Sequence, residues 1–343
     1  MTTPDETVLP KHRALHPPND SITKPPPEFR LTGFRHEYQG WNNCGPSTLA
    51  MALSRYGFGG SQKTIAPVLK PNPNDKNVGP AEMTGYAQNL PNFSAVYRVN
   101  GDLDLLRRLI ANGFAVIVET WFTPKANDGM GHYRLLTGYS DLRQEFFALD
   151  SYLGPNLTLP YAPFDADWRV FNRTYIVVYP QPQASLVAAI IGDAVDDRVM
   201  WTLAYARQWA EIQQMGGDGF AWHNLGSALN ALGNPTAAAQ AFDRARQMGL
   251  PWRMFWYQFG VFEAYVAVGR YQDVLTIAEG NLQKAIDLEE SHYYRGRALE
   301  GMGRASEATA AYQRALDLNI RYRAAAQALL ALRPPFVALA FLP

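Results

Sequence analysis

One cysteine in 343 residues confines any thiol chemistry to a single position. Cys44 lies in the stretch GWNNCGPSTLAMALSRYG, at the start of a helix-like run with Pro46 in its first turn. A helix N-terminus offers free N–H groups and the positive end of its dipole, both of which favour a thiolate. Three amides stand just upstream, Gln39, Asn42 and Asn43. An amide N–H is the kind of donor that stabilises an oxyanion. A nucleophilic thiol needs a base, and the base needs an orienting partner. His132 opens the run GHYRLLTGY and Asp150 closes the run EFFALD, with the polar turn YSDLRQ between them. In an antiparallel hairpin centred near Asp141 these two residues face each other, with Cβ atoms about 4.5–5.5 Å apart. A one-residue slip would send one of them to the other face. Taken singly, each residue is bland: a lone cysteine is more often a small core residue, and histidine and aspartate at strand ends are commonplace. Together they form a Cys–His–Asp set able to attack a carbonyl carbon and protonate a leaving group.

The elements that must position them are legible in outline. Leu49, Ala52, Leu53 and Tyr56 recur at helical spacing, and Gly57 stops the run, which predicts an amphipathic helix over 45–56. A second helix is predicted over 102–112, with Asp102 as its cap. Runs rich in β-branched and aromatic residues predict strands at 95–99, 115–119, 132–139, 145–150 and 175–179. Helices first and antiparallel strands afterwards predict an α+β domain over 31–180. Residues 1–30 hold seven prolines and little aliphatic periodicity. They read as an extended or disordered leader, the alternative being a recognition segment or a plug across a cleft. Trp41 and Trp121 could line the mouth of a groove, or belong to the core. His36 and Glu37 could line the cleft or form a solvated loop pair.

The stretch 181–185 reads as a linker, and everything from 186 to 343 reads helical. Trp222, Leu225, Gly226, Leu229, Gly233, Ala238, Phe242 and Ala245 form a helix–turn–helix pattern. It returns at His292, Arg295, Gly296, Leu299, Gly303, Ala308, Tyr312 and Ala315. A middle copy over 255–288 keeps Gly269 but stands about two residues out of register. The pattern resembles tetratricopeptide repeats, with copies near 219–252, 255–288 and 289–322 and capping helices near 186–215 and 319–332. Such a solenoid implies a protein partner or a peptide substrate on its surface.

NNCGPSTLAM, GHYRLLTGY and FFALDSYLG together resemble cysteine peptidase family 39, and most closely its free-standing peptidase-like branch. The similarity covers roughly residues 34–180. It implies a papain-like fold, with Cys44 as nucleophile, His132 as general base and then acid, Asp150 orienting the imidazole, and Gln39 as oxyanion donor. Gln39 lies five residues before Cys44 where that family usually has six, which leaves Asn43 or a backbone N–H as the alternative donor. The chain lacks the phosphate-binding GxxxxGK[ST] loop of the transporter-fused members. Their double-glycine leader substrate therefore does not carry over.

Composition bounds the remaining options. Basic and acidic residues number 31 each, so no bulk charge favours nucleic acid. One cysteine excludes an intrachain disulfide, and the six histidines show no metal-ligand spacing. No cofactor is implied. No apolar run approaches the ~18 residues of a membrane span, and MTTPDETVLP is unlike a signal peptide, so a cytoplasmic location is expected, with secretion the alternative. The function expected is a cysteine peptidase or amide hydrolase working through an acyl-enzyme. The alternatives are a catalytically idle binding module, or acyl transfer or deamidation by the same triad.

Overall fold

The structure, a computed structural model, describes residues 22–332 except 76 and 127. Seven strands form one antiparallel sheet: β1 (Glu28–Arg30), β2 (Phe93–Arg98), β3 (Val116–Phe122), β4 (Met130–Ser140), β5 (Glu145–Asp150), β6 (Gly154–Pro160) and β7 (Tyr175–Pro180). Their order is β2-β7-β3-β4-β5-β6, and β1 adds to the far end of β4. Val116, Ile117 and Val118 of β3 and Ile176, Val177 and Val178 of β7 are all buried. An unbroken apolar run of this kind marks a strand covered on both faces. Around the sheet lie α1 (Cys44–Ser54), α2 (Gln62–Leu69), α3 (Pro80–Gln88), α4 (Leu103–Ala111) and α5 (Tyr161–Trp168).

The helix expected over 45–56 is α1, but it is not a surface helix with one apolar stripe. Every residue from Gly45 to Leu53 is buried. Small residues let it sit close to its neighbours: a Cβ on Gly45 would meet Val78 at 3.3 Å. The helix expected over 102–112 is α4, capped as read, with Asp102 Oδ1 accepting from the Leu105 N–H at 2.7 Å. The strand β6 and the helices α2, α3 and α5 have no counterpart in the sequence reading. β6 is a proline-flanked strand at the sheet edge, where proline is tolerated, and so lacks the usual strand signature.

The Pro-rich leader differs in part from expectation. Residues 1–21 lie outside the described residues. Residues 22–30 are extended but anchored: β1 pairs with β4, Pro26 O accepts from Tyr139 Oη at 2.9 Å, and Pro27 O accepts from the Asp141 N–H at 2.8 Å. This places 28–30 at the opposite end of β4 from His132, so that segment does not cross the cleft.

After β7 the chain is helical: α6 (Ala184–Ile191), α7 (Asp197–Met215), α8 (Gly219–Ala231), α9 (Pro235–Gln247), α10 (Met254–Tyr257), α11 (Gly260–Ala267), α12 (Tyr271–Leu282), α13 (Glu289–Gly301), α14 (Ala305–Leu318) and α15 (Arg323–Ala331). The expected linker over 181–185 is instead a tight 3-10 turn running straight into α6. Val187, Ile190 and Ile191 of α6 join the core of the sheet domain, which therefore extends past the boundary read from the sequence. The apolar face of α6 is what the Pro-Gln-Pro-Gln composition just before it concealed. The helix pairs α8/α9, α11/α12 and α13/α14 close through Gly233, Gly269 and Gly303, all with φ between +74° and +82°. In the first and third pairs a glycine faces an aromatic ring: a Cβ on Gly226 would meet Phe242 at 2.8 Å, and one on Gly296 would meet Tyr312 at 2.5 Å. These contacts explain the Gly…aromatic part of the repeat.

The helical array lies against the sheet domain. Val170, Phe171 and Met254 form a buried cluster with Trp121, Phe220 and Tyr257 packed on it. Asn77 Nδ2 donates to Glu290 Oε1 at 3.0 Å, and Arg321 donates to the carbonyls of Pro67 and Val68. Arg173 pairs with Asp165 and with Glu211.

Candidate active site

Cys44 is the first residue of α1, and the chain reaches it through a left-handed residue, Asn42, with φ +52°. Asparagine takes this conformation more readily than most residues. The helix end is held against β4 by Thr48, whose hydroxyl donates to Tyr133 O at 3.2 Å. His132, near the start of β4, hydrogen-bonds Asp150 on one side and interacts with Cys44 on the other. The His132 Nε2···Asp150 Oδ1 distance is 3.0 Å. Asp150 Oδ1 also accepts the N–H groups of Tyr152 at 2.7 Å and Leu153 at 2.9 Å, and Oδ2 accepts Arg134 Nε at 3.0 Å. A carboxylate with so many donors is ionised and can only accept, so His132 carries a proton on Nε2, which leaves Nδ1 as the nitrogen for exchange with Cys44.

The register that achieves this differs from the one read off the sequence. Asp150 lies opposite Arg134, not His132. The turn spans 141–144, which by itself would set Asp150 opposite Leu135 and turn its side chain to the wrong face. A bulge between Leu136 and Gly138 adds Thr137 to β4 and restores the parity. His132 and Asp150 are thus diagonal neighbours on one face, within reach of two mid-sized polar side chains.

The electrostatics follow from burial set against pairing. Burial pushes the Cys44 thiol up, but the hydrogen bond and charge of His132, with the N–H groups of Tyr133 and Gly45, outweigh it and hold the thiol below its ordinary value. Burial alone would lower His132; its bonds to Asp150 and Cys44 and their charges raise it. Burial works against Asp150 ionisation, and His132 with the Leu153 and Tyr152 N–H groups draws it well below the usual carboxylate range. Glu119 of β3, buried near Cys44, is pushed up to about 8 by burial first and then by the charge of Cys44.

A cavity of about 530 Å³ opens over the thiol, lined by Gln39, Trp41, Cys44 and His132 on one side and by Arg253, Trp256 and Tyr257 on the other. This volume suits a peptide side chain and its flanking backbone. Gln39 Oε1 accepts from Ser151 Oγ at 2.8 Å, and its backbone N–H donates to Ser151 O at 2.8 Å, which leaves the side-chain NH₂ as the end that can donate. Asn43 is placed differently: its Nδ2 donates to Gln62 Oε1 at 3.1 Å and its Oδ1 accepts from Lys70 Nζ at 3.2 Å. Trp41 lines the cavity, whereas Trp121 packs on Phe171 and Phe220 at the junction with the helical array. His36 Nε2 bonds Asp150 O at 3.0 Å, and Glu37 Oε1 accepts the Gln62 N–H at 2.7 Å, so both brace the loop. Among the described residues no cluster suits a metal ion, and no helix is long and apolar enough to cross a membrane.

The structure therefore brings Cys44, His132, Asp150 and Gln39 together and turns Asn43 away. Sequence reasoning missed Arg134, the one arginine inside GHYRLLTGY, which clamps Asp150 Oδ2 and also donates to Thr120 Oγ1 at 2.6 Å. It also missed the wall contributed by α10, whose only trace in the sequence is the two-residue offset of the middle repeat.

Residues 26–176 match the Peptidase_C39 like family, and residues 221–245 match the tetratricopeptide repeat. Two solved structures are similar to part of the chain. One is a protein described as a C39-like peptidase from Bacillus anthracis, 18% identical, with 45% of this chain and 98% of that chain covered at a TM-score of 0.37. The other is the peptidase domain of Streptococcus ComA, a bifunctional ABC transporter involved in quorum sensing, 17% identical, with 44% of this chain and all of that chain covered at a TM-score of 0.36. No curated protein matches. Residues 26–176, a little under half of the chain, are thus similar to the C39-like peptidases, and the helical region that follows contains a stretch matching the tetratricopeptide repeat.

Proposed function

We propose that this chain is a cysteine peptidase, or a hydrolase of related amides, acting through an acyl-enzyme. The observation that carries the reading is the line from the half-buried Cys44 at the floor of a cavity through the buried His132 to the buried Asp150. The Cys44 thiolate attacks the scissile carbonyl carbon, forming a C–S bond as the carbonyl electrons move onto oxygen. The side-chain amide of Gln39 donates to that oxyanion. His132 gives its Nδ1 proton to the leaving nitrogen as the C–N bond breaks. Water then attacks the thioester, His132 takes a proton from it, and the acid is released with Cys44 restored. Asp150, itself held by Arg134, keeps the imidazole in the tautomer this requires. The helical repeats serve to hold a protein partner or the substrate chain.

Incubating the full-length protein with a peptide library tests this, with Cys44→Ala as control. Cleavage by the wild type and none by Cys44→Ala supports the reading. A wild type that leaves every peptide intact while still binding proteins through its helical array makes the domain an idle scaffold. Product analysis separates hydrolysis from transfer to an amine or loss of ammonia alone.

A further inference from the structure

One wall of the cavity over Cys44 comes from the helical array. Arg253, Trp256 and Tyr257 line it, and all three belong to α10 or its leading turn. This is where the repeat departs from its period: Gly233 and Gly269 stand two residues further apart than Gly269 and Gly303. The added turn is fastened from both sides. Met254 is fully buried, clustered with Val170 and Phe171 of the peptidase domain. Arg253 pairs with Asp128 and donates to Gly129 O at 3.2 Å, in the loop between β3 and β4. On the array side, Asn281 Nδ2 donates to Phe255 O at 2.9 Å. Trp256 is 6% exposed and packs on Ala285 and Leu288.

The side chains lining the cavity on this side are mostly apolar (Phe122, Pro124, Met130, Tyr152, Trp256 and Tyr257), the charged ones being the exposed Lys125 and the pair Asp128 and Arg253. The carboxylate of Asp128 is answered by Arg253. A charged substrate group placed here would lose water against aromatic rings, whereas a large apolar one would replace poorly bound water. Tyr257 lies close enough to the thiol that its hydroxyl, raised first by burial, is raised further by the charge of Cys44.

We infer that α10 is a specificity element: Trp256 and Tyr257 receive a bulky apolar side chain of a peptide substrate beside the scissile carbonyl, so that the helical array forms part of the substrate cleft itself. The inference rests on the reading of Cys44 as the nucleophile.

The test measures alkylation of Cys44 in the full-length protein by three reagents: iodoacetamide, and the chloromethyl ketones of N-acetyl-phenylalanine and N-acetyl-alanine. In the wild type the phenylalanyl reagent should react about tenfold or more faster than the alanyl one, relative to their ratio with free cysteine. Tyr257→Ala and the milder Tyr257→Gln should each lower that preference several-fold, read from the two ketone rates, each divided by that protein's own iodoacetamide rate, so that any change in the thiol itself cancels. A thermal unfolding midpoint close to the wild type shows that the variants keep their fold. A preference that is absent in the wild type, or unchanged in both variants, overturns the inference and leaves the nucleophile standing. A wild-type thiol no more reactive toward iodoacetamide than that of His132→Ala overturns the nucleophile reading and this inference with it.

Discussion

Cys44 is held below its ordinary value by His132 against an opposing effect of burial. Removing the imidazole leaves the burial in place, so the thiol of His132→Ala should lie above an ordinary thiol, not merely return to it. The rate of iodoacetamide alkylation against pH should therefore rise at lower pH in the wild type than in a free thiol, and at higher pH in His132→Ala. Identical profiles for the two proteins would show that His132 does not pair with Cys44. Gln39 carries a second prediction at this scale. Its oxygen is fixed by Ser151, and its amide faces the cavity that Asn43 does not line. Gln39→Ala should lower kcat by about 10²–10³ with little change in KM, while Asn43→Ala should change kcat less than tenfold. The residue types of the site were legible because a single cysteine, a histidine and an aspartate in that order leave few other arrangements. Arg134 was not, since nothing in a strand sequence tells a buried cation from an exposed one.

At the scale of elements, the hairpin of β4 and β5 shows why His132 and Asp150 are neighbours although the register read from the sequence was wrong. The turn centre was placed about a residue and a half early, and the bulge at Thr137 removed the odd residue of error that would have mattered. Bulges have no dependable sequence signature, although Gly138 marks this one. A Cβ at Gly138 would stand 2.6 Å from Phe29 O and 2.9 Å from the Phe147 ring, and the first of these is backbone that cannot swing aside. Gly138→Ala should therefore push β1 off β4 or flatten the bulge. We expect a loss of about 1–3 kcal/mol in denaturant unfolding. If the bulge flattens, activity should fall further than stability, because Asp150 leaves the face of His132. Wild-type stability in Gly138→Ala would mean that β1 yields freely. The repeats were legible for a related reason, since glycine against aromatic ring is a packing rule repeated along the chain. β6 and the helices α2 and α3 carry no such repeated rule.

At the scale of the whole molecule, the two halves meet across a buried group of carboxyls. Asp75 sits in the loop after α2, and Glu289 and Glu290 open α13; all three are buried. Asn319 donates to Glu289 at 2.9 Å and Asn77 to Glu290 at 3.0 Å, but the second oxygen of each glutamate has no partner among the described residues. Burial raises Asp75, Glu289 and Glu290 first, and the charges of neighbouring carboxyls raise Asp75 and Glu290 further, both well above the ordinary range. A carboxyl raised in the folded state stabilises the fold most below its unfolded value of about 4 and loses that contribution as pH climbs to the raised value. Glu82, whose charge helps to raise Asp75 and Glu290, is itself pushed up to about 7 by burial first, so the interface should weaken as pH rises through neutrality. His223, buried in α8 and lowered to about 4 by burial, has the opposite sign, but its effect is spent above about pH 6.5. Between pH 7 and 9 His223 is thus silent, but Glu119, raised to about 8, adds a fall of the same sign, so it is the difference between wild type and Glu290→Gln that reads the junction. The melting temperature of the wild type should fall by roughly 2–6 °C over that range, and Glu290→Gln, which keeps the bond from Asn77 and removes the ionisation, should reduce the fall by about half or more. The loss should begin at the junction: proteolysis within 69–79, and exchange of the α13 amides, should speed up before those of β3 and β7. A flat melting temperature from pH 7 to 9, or a fall that Glu290→Gln leaves untouched, would mean that the carboxyls shed their protons without cost and that apolar contacts such as Phe171 on Met254 hold the halves together alone.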